Sequence, residues 1–366
     1  MSGNDFAASR LGLARARRRM TLTELADLVG SSATRISQFQ SGKETPGGEM
    51  VSALARALRF PEEFFYQPAL EPVDKDAVSF RSLSRLRARD RDAALASASV
   101  ARLLSRWMEK HYELPMAAIP EMSDASPEHA AEAVRSLWGL GQGPVLDMVQ
   151  LLEAHGVRVF SLLEDCNEMD AFCMWDGDVP FVFLNTIKSG ERSRFDAAHE
   201  LGHLVLHRKE RLSRNQDAER EANDFASAFL MPRHATMAAV HGPISLATAL
   251  ALKKQWGVSV SAAAVRLFRL GLLSDWNYRL IFQQLGARGW RTKEPDPRQH
   301  ERSQLLKIIL DDLDRMGSSI KVLADELAVP VAELRLLTFG LAEVPLALRT
   351  GLKAPDSPHP DLRLVR

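Results

Sequence analysis

Apolar residues recur at helical spacing through most of this chain, and glycines and prolines mark where each run stops. Between residues 6 and 64, Leu25, Ala26, Ile36 and Phe39 fall on the inward faces of two short helices. Thr21-Leu-Thr-Glu24 is a capping box that opens the first, Leu22 to Leu28, and Gly30 breaks it. Ser31 and Ser32 open the second, Ala33 to about Gln40, which ends at Ser41-Gly42-Lys43. Residues 75–115 form a basic helical connector, led by Arg81, Arg85, Arg87, Arg89 and Arg91 and closed by Pro115 and Pro120. It reads as a solvated helix or as a linker that contacts phosphate.

From residue 120 the pattern mixes periods. Pro127 to Trp138 and Pro144 to His155 read as helices, the latter stopped by Gly156, and Val157–Leu162 as a strand. Met169–Trp175 and Val179–Asn185 flank Asp176-Gly177-Asp178, a hairpin signal. Phe181–Leu184 is the expected edge strand, free to pair with an extended peptide. A helix over residues 195–207 carries the apolar run Leu201, Leu204, Val205, Leu206 and is expected to be buried. Residues 217–232 form a helix stopped by Pro232, and one more runs from Trp256 through Leu273. Thr292–Arg298, with Pro295 and Pro297, reads as a linker.

The tail echoes the start. Leu323-Ala324-Asp325 repeats Leu25-Ala26-Asp27, and Leu334, Leu337 and Gly340 fall where Ile36, Phe39 and Gly42 fall. The second helix of this echo offers Glu333 and apolar residues rather than hydrogen-bonding ones. It therefore reads as a degenerate helical bundle for interaction or dimerisation, not for reading DNA.

Composition narrows the setting. The 47 Lys+Arg balance 47 Asp+Glu, so net charge implies no partner and only its distribution can. No apolar run approaches a membrane span and the N-terminus lacks the apolar stretch of a signal peptide, so no membrane partner is expected. The two cysteines, Cys166 and Cys173, lie outside any CxxC spacing, as in a reduced cytoplasmic protein.

The chemistry concentrates in His199-Glu200-x-x-His203. On a helix, residues four apart are about 40° apart around the axis and about 6 Å along it, so both imidazoles can reach one ion. Two His ligands with Glu200 as general base is the arrangement of a zinc peptidase helix. A third ligand is needed, and Glu221 is assigned because Phe225, Ala228 and Phe229 lie at helical spacings from it. Glu219, about 160° away, falls on the outer side. Asp224 is a candidate to orient a ligand histidine. His207 lies about 12 Å along the axis from His199, too far to share its ion, and is given a supporting role behind the ligands. In the N-terminal bundle the outward face carries Ser32, Thr34, Arg35, Ser37 and Gln38, suited to base edges in a major groove, with Lys43 placed for phosphate.

Residues 6–64 resemble the Cro/repressor-like helix-turn-helix of the XRE class, through Leu25-Ala26, Ile36-Ser37, Gly42-Lys43 and Pro46. They depart from it at Gln40, where Glu is frequent, and at Leu22, where Gln often touches phosphate. The segment from Arg194-Phe195 through His199-Glu200-Leu201-Gly202-His203, Leu206-His207, Glu219-Arg-Glu221-Ala-Asn223-x-Phe225-Ala226 and Leu230-Met231-Pro232 resembles ImmA/IrrE-like metallopeptidase domains. That resemblance implies a zinc peptidase that cleaves or otherwise relieves a helix-turn-helix repressor.

The expected fold is mainly α with a small β-sheet (α+β). A helix-turn-helix DNA-binding domain (1–70) and a basic linker (71–115) precede a zincin-like metallopeptidase domain (116–275) and a C-terminal helical domain (276–366). The expected function is a cytoplasmic, nucleoid-associated and homodimeric transcription regulator. It would bind double-stranded operator DNA and use Zn2+ to hydrolyse a peptide bond in itself or in another regulator. The alternative is a regulator whose peptidase-like domain senses a small molecule or single-stranded DNA and cleaves nothing.

Overall fold

The computed structural model describes residues 5–73, 78, 87–162, 170–208, 216–341 and 363–364. Cys166, Arg81 and Arg85 lie outside these described residues. The architecture is mainly helical with a small three-stranded sheet.

Four helices, α1 (Ala8–Arg17), α2 (Leu22–Leu28), α3 (Ala33–Gln40) and α4 (Gly48–Leu58), and a 3-10 turn (Glu62–Tyr66) make the N-terminal bundle. Both halves of the capping box form: Glu24 N–H donates to Thr21 Oγ1 at 3.1 Å, and Thr21 N–H to Glu24 Oε2 at 2.7 Å. Gly30 turns the chain at φ +64°, a region that favours glycine. Leu25, Ile36, Phe39, Leu54 and Phe64 are fully buried between these helices.

The arginines of α1 are structural. Arg10 donates to the Pro68 carbonyl (2.8 Å) and lies over the Phe64 ring, and Arg18 donates to the Leu58 carbonyl (2.6 Å). Arg15 holds Gln40 Oε1 at 2.9 Å. Gly12 makes room for that amide, because a Cβ there would sit 3.2 Å from Gln40 Nε2.

Helix α5 (Ala88–His111) departs from the solvated connector expected of its basic start. Its small residues Ala93, Ala94, Ala96, Ser97, Ala98 and Ala101 are all buried, so neighbours approach it from several sides, α1 among them. Arg19 of the N-terminal bundle pairs with Asp90 at 2.7 Å. Strand β1 (Tyr112–Glu113) follows directly and pairs antiparallel with the last described strand, Arg363–Leu364.

Helices α6 (Pro127–Leu137) and α7 (Met148–Ala154) then lead into β2 (Arg158–Ser161), β3 (Ala171–Asp176) and β4 (Val179–Leu184). Helix α7 starts four residues later than the expected Pro144. Gly156 (φ +80°) ends it, where any Cβ would collide with the Met116 backbone.

Strand order is β2-β4-β3, with β2–β4 parallel and β4–β3 antiparallel. Phe181–Leu184 is therefore central, not the expected edge. Phe181, Val182, Phe183 and Leu184 are buried in succession, the unbroken apolar run of a strand covered on both faces. A hairpin partner on one side does not rule out a parallel partner on the other.

The sheet packs on α8 (Gly190–Leu206), and α8 on α9 (Gln216–Leu230). Next come α10 (Arg233–Ala238), α11 (Leu246–Trp256), α12 (Val260–Arg269) and α13 (Asp275–Ala287). Trp256 thus closes α11 at the left-handed Gly257 and does not open the helix that follows. The stretch expected as a linker is strapped down. Glu294 accepts from the Val260 N–H at the start of α12 (2.9 Å), and Glu301 from the Met148 N–H at the start of α7 (2.7 Å) while paired with Arg194.

Helices α14 (Gln304–Arg315), α15 (Ile320–Glu326) and α16 (Val331–Leu337) repeat α1–α3 position for position. Ser319 caps α15 as Thr21 caps α2. Left-handed residues recur at Gly317, Ala328 and Gly340, matching Arg19, Gly30 and Gly42. Leu323, Ala324, Leu334 and Leu337 are buried like Leu25, Ala26, Ile36 and Phe39.

The copies differ at one telling position. Where the first has the exposed Arg35, the second has Glu333, only 1% exposed. Glu333 receives Arg17 at 2.5 Å and Arg18 at 2.7 Å, so α16 faces inward onto α1. Its far end is held by Ser161 of β2, which donates to the Leu336 carbonyl and accepts from Phe339 N–H at 3.0 Å.

Candidate metal centre and nucleic-acid face

Helix α8 begins at Ser189, whose side chain accepts from Arg192 N–H at 3.3 Å, and is buried along nearly its whole length. Gly202 is where it meets α9: a Cβ there would lie 3.1 Å from Phe225 Cδ1 and 3.2 Å from Ala222 Cα. With the helices in contact at Gly202 and Ala222, His199 and His203 project to one side of the crossing. Glu219, one turn before Ala222, meets them there. His199, His203 and Glu219 form a group whose ligand atoms all lie within 4.8 Å of one another.

Three distances describe the group. His199 Nε2 is 3.1 Å from His203 Nε2, and Glu219 oxygens lie 3.4 Å from each. Ligands held at about 2.0–2.1 Å around a tetrahedral ion stand roughly 3.3–3.4 Å apart, so two nitrogens and one oxygen at these separations suit a single metal ion.

Glu221 is not the third member. Its carboxylate, 44% exposed, turns instead to His207 Nε2 at 3.0 Å, while the Glu219 side chain expected on the outer side is 13% exposed. A helical wheel orders both residues around α9, but both flank the buried stripe. Which one meets the histidines depends on the side from which α8 approaches. Asp224 is likewise turned away and pairs with Arg269.

Burial and mutual charge set the protonation of the group. Burial pushes His203 down to about 4, leaving it neutral with a lone pair to offer. Burial would also lower His199, but the hydrogen bond to Glu219 and the charges of Glu200, Glu219 and Asp196 hold it above its usual value. Burial opposes ionisation of Glu219, yet the two imidazoles beside it, His199 first, hold it far below the usual carboxylate range. Glu200, 2% exposed, follows His199 directly in α8. His207 lies behind His203, the two Nδ1 atoms 3.1 Å apart.

On the N-terminal bundle, Ser32, Thr34, Arg35, Ser37, Gln38 and Lys43 are all exposed. Ser32 also caps α3, its oxygen accepting from Arg35 N–H at 3.3 Å. Arg35 lies over the Phe39 ring and is tied to Glu44, with Nε and one terminal nitrogen 2.9 and 2.8 Å from the same oxygen. No helical spacing links Glu44 to Arg35, so the sequence alone carries no signal for this pair. Glu219, which the helical wheel puts on the outer side, stands beside His199 and His203.

Residues 7–64 match the family model described as a helix-turn-helix domain. Residues 152–268, which hold the His199, His203 and Glu219 group, match the model described as an IrrE N-terminal-like domain, of the peptidase M78 type. No curated protein matches the chain. Among the described residues no helix is long and apolar enough to cross a membrane. The chain thus carries a segment similar to helix-turn-helix domains followed by one similar to IrrE N-terminal-like domains.

Proposed function

We propose that this chain is a DNA-binding regulator whose peptidase domain hydrolyses a peptide bond, in itself or in a partner protein, in response to a signal. The observation that carries this reading is the triangle of His199, His203 and Glu219 beside the buried Glu200, on a chain that also presents an open polar face on α3.

The three ligand side chains suit zinc, which prefers histidine nitrogen and carboxylate oxygen and keeps a fourth position open at catalytic sites. Zinc held there supplies a Lewis acid that polarises a peptide carbonyl. Neutral His203 and ionised Glu219 present lone pairs to the ion. Glu200, next to a ligand yet outside the triangle, is the group to take a proton from the attacking water and return it to the leaving amine. Its burial keeps that exchange away from bulk solvent.

On the DNA side, a homodimer bound to a near-palindromic operator gives each α3 one half-site. Arg35 must exchange Glu44 for a base edge, so Arg35→Ala is expected to cost about 1–3 kcal/mol at the operator. Gel-shift titration of variant and wild type on the native promoter checks this; equal affinities would remove Arg35 from the reading face.

The function is tested by incubating the purified full chain with and without zinc, operator DNA and candidate regulators, and searching for cleavage products by mass spectrometry. Zinc-dependent cleavage of itself or of a regulator is expected. A zinc-loaded protein that responds to its inducing signal with no new terminus would favour the non-cleaving sensor instead.

A further inference from the structure

Behind the metal-ligand triangle runs a short line of polar atoms in hydrogen-bond contact. Glu221 Oε2 lies 3.0 Å from His207 Nε2, and His207 Nδ1 lies 3.1 Å from His203 Nδ1. An ionised carboxylate only accepts, so the hydrogen in the first contact belongs to His207 Nε2. With His207 neutral, its ring then keeps the lone pair on Nδ1. The second contact joins two ring nitrogens and needs one donor, and His203 Nδ1–H is the one left to supply it.

His203 then carries its lone pair on Nε2. That is the atom 3.1 Å from His199 Nε2 and 3.4 Å from Glu219. The opposite tautomer would put a hydrogen on Nε2, where a metal ion needs electrons. The line also fixes the ring in space. The His203 and His207 side chains are 3% and 5% exposed, while the Glu221 end is 44% exposed.

We infer that Glu221 and His207 are positioning residues of the metal centre: through two successive hydrogen bonds they hold His203 in the tautomer that can bind an ion. The carboxylate–histidine–metal unit common in metalloproteins is thereby extended by one imidazole. This inference rests on the metal site proposed above. It gives Glu221 a role different from that of a ligand.

The test uses the full-length protein and two readouts. In uniformly 15N-histidine-labelled metal-free protein, long-range 1H–15N correlation spectra should show His203 protonated at Nδ1; protonation at Nε2 as the major form would overturn the inference without any variant. Zinc affinity is then measured by competition with a chromogenic chelator. His207→Phe, which keeps a flat ring and loses both nitrogens, is expected to bind zinc about 10–100-fold more weakly. Glu221→Leu should weaken it in the same direction. Glu221→Gln, whose amide oxygen can still accept from His207 Nε2–H, should restore affinity to near that of wild type.

If His207→Phe and Glu221→Leu bind zinc as tightly as wild type while Glu219→Ala loses it, the relay is wrong and the metal site stands. If Glu219→Ala also binds as wild type, the metal site itself is misassigned.

Discussion

Glu200→Gln is expected to keep zinc, fold and operator binding while losing two to four orders of magnitude in the rate of peptide hydrolysis, the usual cost of removing a general base. The side chain is 2% exposed and lies outside the ligand triangle. An amide of nearly the same volume should therefore leave the packing of α8 and the three ligands undisturbed. It cannot take up a proton from water. Comparing single-turnover cleavage with zinc content in the same samples separates the two roles: unchanged cleavage with full zinc would show that Glu200 is not the base. A variant that loses zinc would place Glu200 among the groups holding the metal.

Glu333→Ala is expected to lower the stability of the chain by about 3–5 kcal/mol, because it leaves buried charge without a counter-charge. The Arg17 and Glu333 side chains are 4% and 2% exposed, and Arg18 shares the same carboxylate. Burial already lowers the Arg17 pKa, and Glu333 is the main influence opposing it. Replacing Arg17 and Glu333 together by Met and Leu should recover most of the loss, since a well-packed apolar pair often equals a buried ion pair. Urea unfolding of the single and double variants measures both effects. A Glu333→Ala protein as stable as wild type would mean that α16 does not dock on α1 in solution.

This contact also gives the C-terminal copy a definite place. Its α16, equivalent in position to α3, is spent inside the molecule, bridging α1 and strand β2 through Glu333 and Ser161.

Much of this was legible in the sequence where local chemistry decides structure. Thr21 and Glu24 announce a helix start, Gly30 and Gly42 announce left-handed turns, and the Leu323-Ala324-Asp325 echo announces a second copy. His199 and His203 are neighbours by the geometry of a single helix. What stayed hidden depends on how elements meet. The choice between Glu219 and Glu221 follows from the Gly202–Ala222 contact, and a wheel drawn on α9 alone contains no information about α8.

Phe181–Leu184 was misplaced for a related reason. An apolar strand shows that it is covered, not how many partners it has. The arginines that suggest a solvated connector, Arg87, Arg89 and Arg91, sit at the start of α5, while what buries the helix is a run of Ala and Ser small enough for close packing on several sides. The strap over residues 294–303 has no periodicity at all. Glu294 and Glu301 hold it by capping the starts of α12 and α7, a signal invisible without those helix ends in space. Helix α13 was not anticipated, although its cap, Ser274 accepting from Asn277 N–H at 3.3 Å, was readable.

The proposed metal site takes His199, His203 and Glu219 as its ligands and leaves Glu221 out. Zinc content measured by mass spectrometry on wild type, Glu219→Ala and Glu221→Gln, all purified and dialysed together, tests it most directly. About one zinc per chain is expected for wild type and Glu221→Gln, and next to none for Glu219→Ala. Full zinc in Glu219→Ala together with its loss in Glu221→Gln would contradict the account.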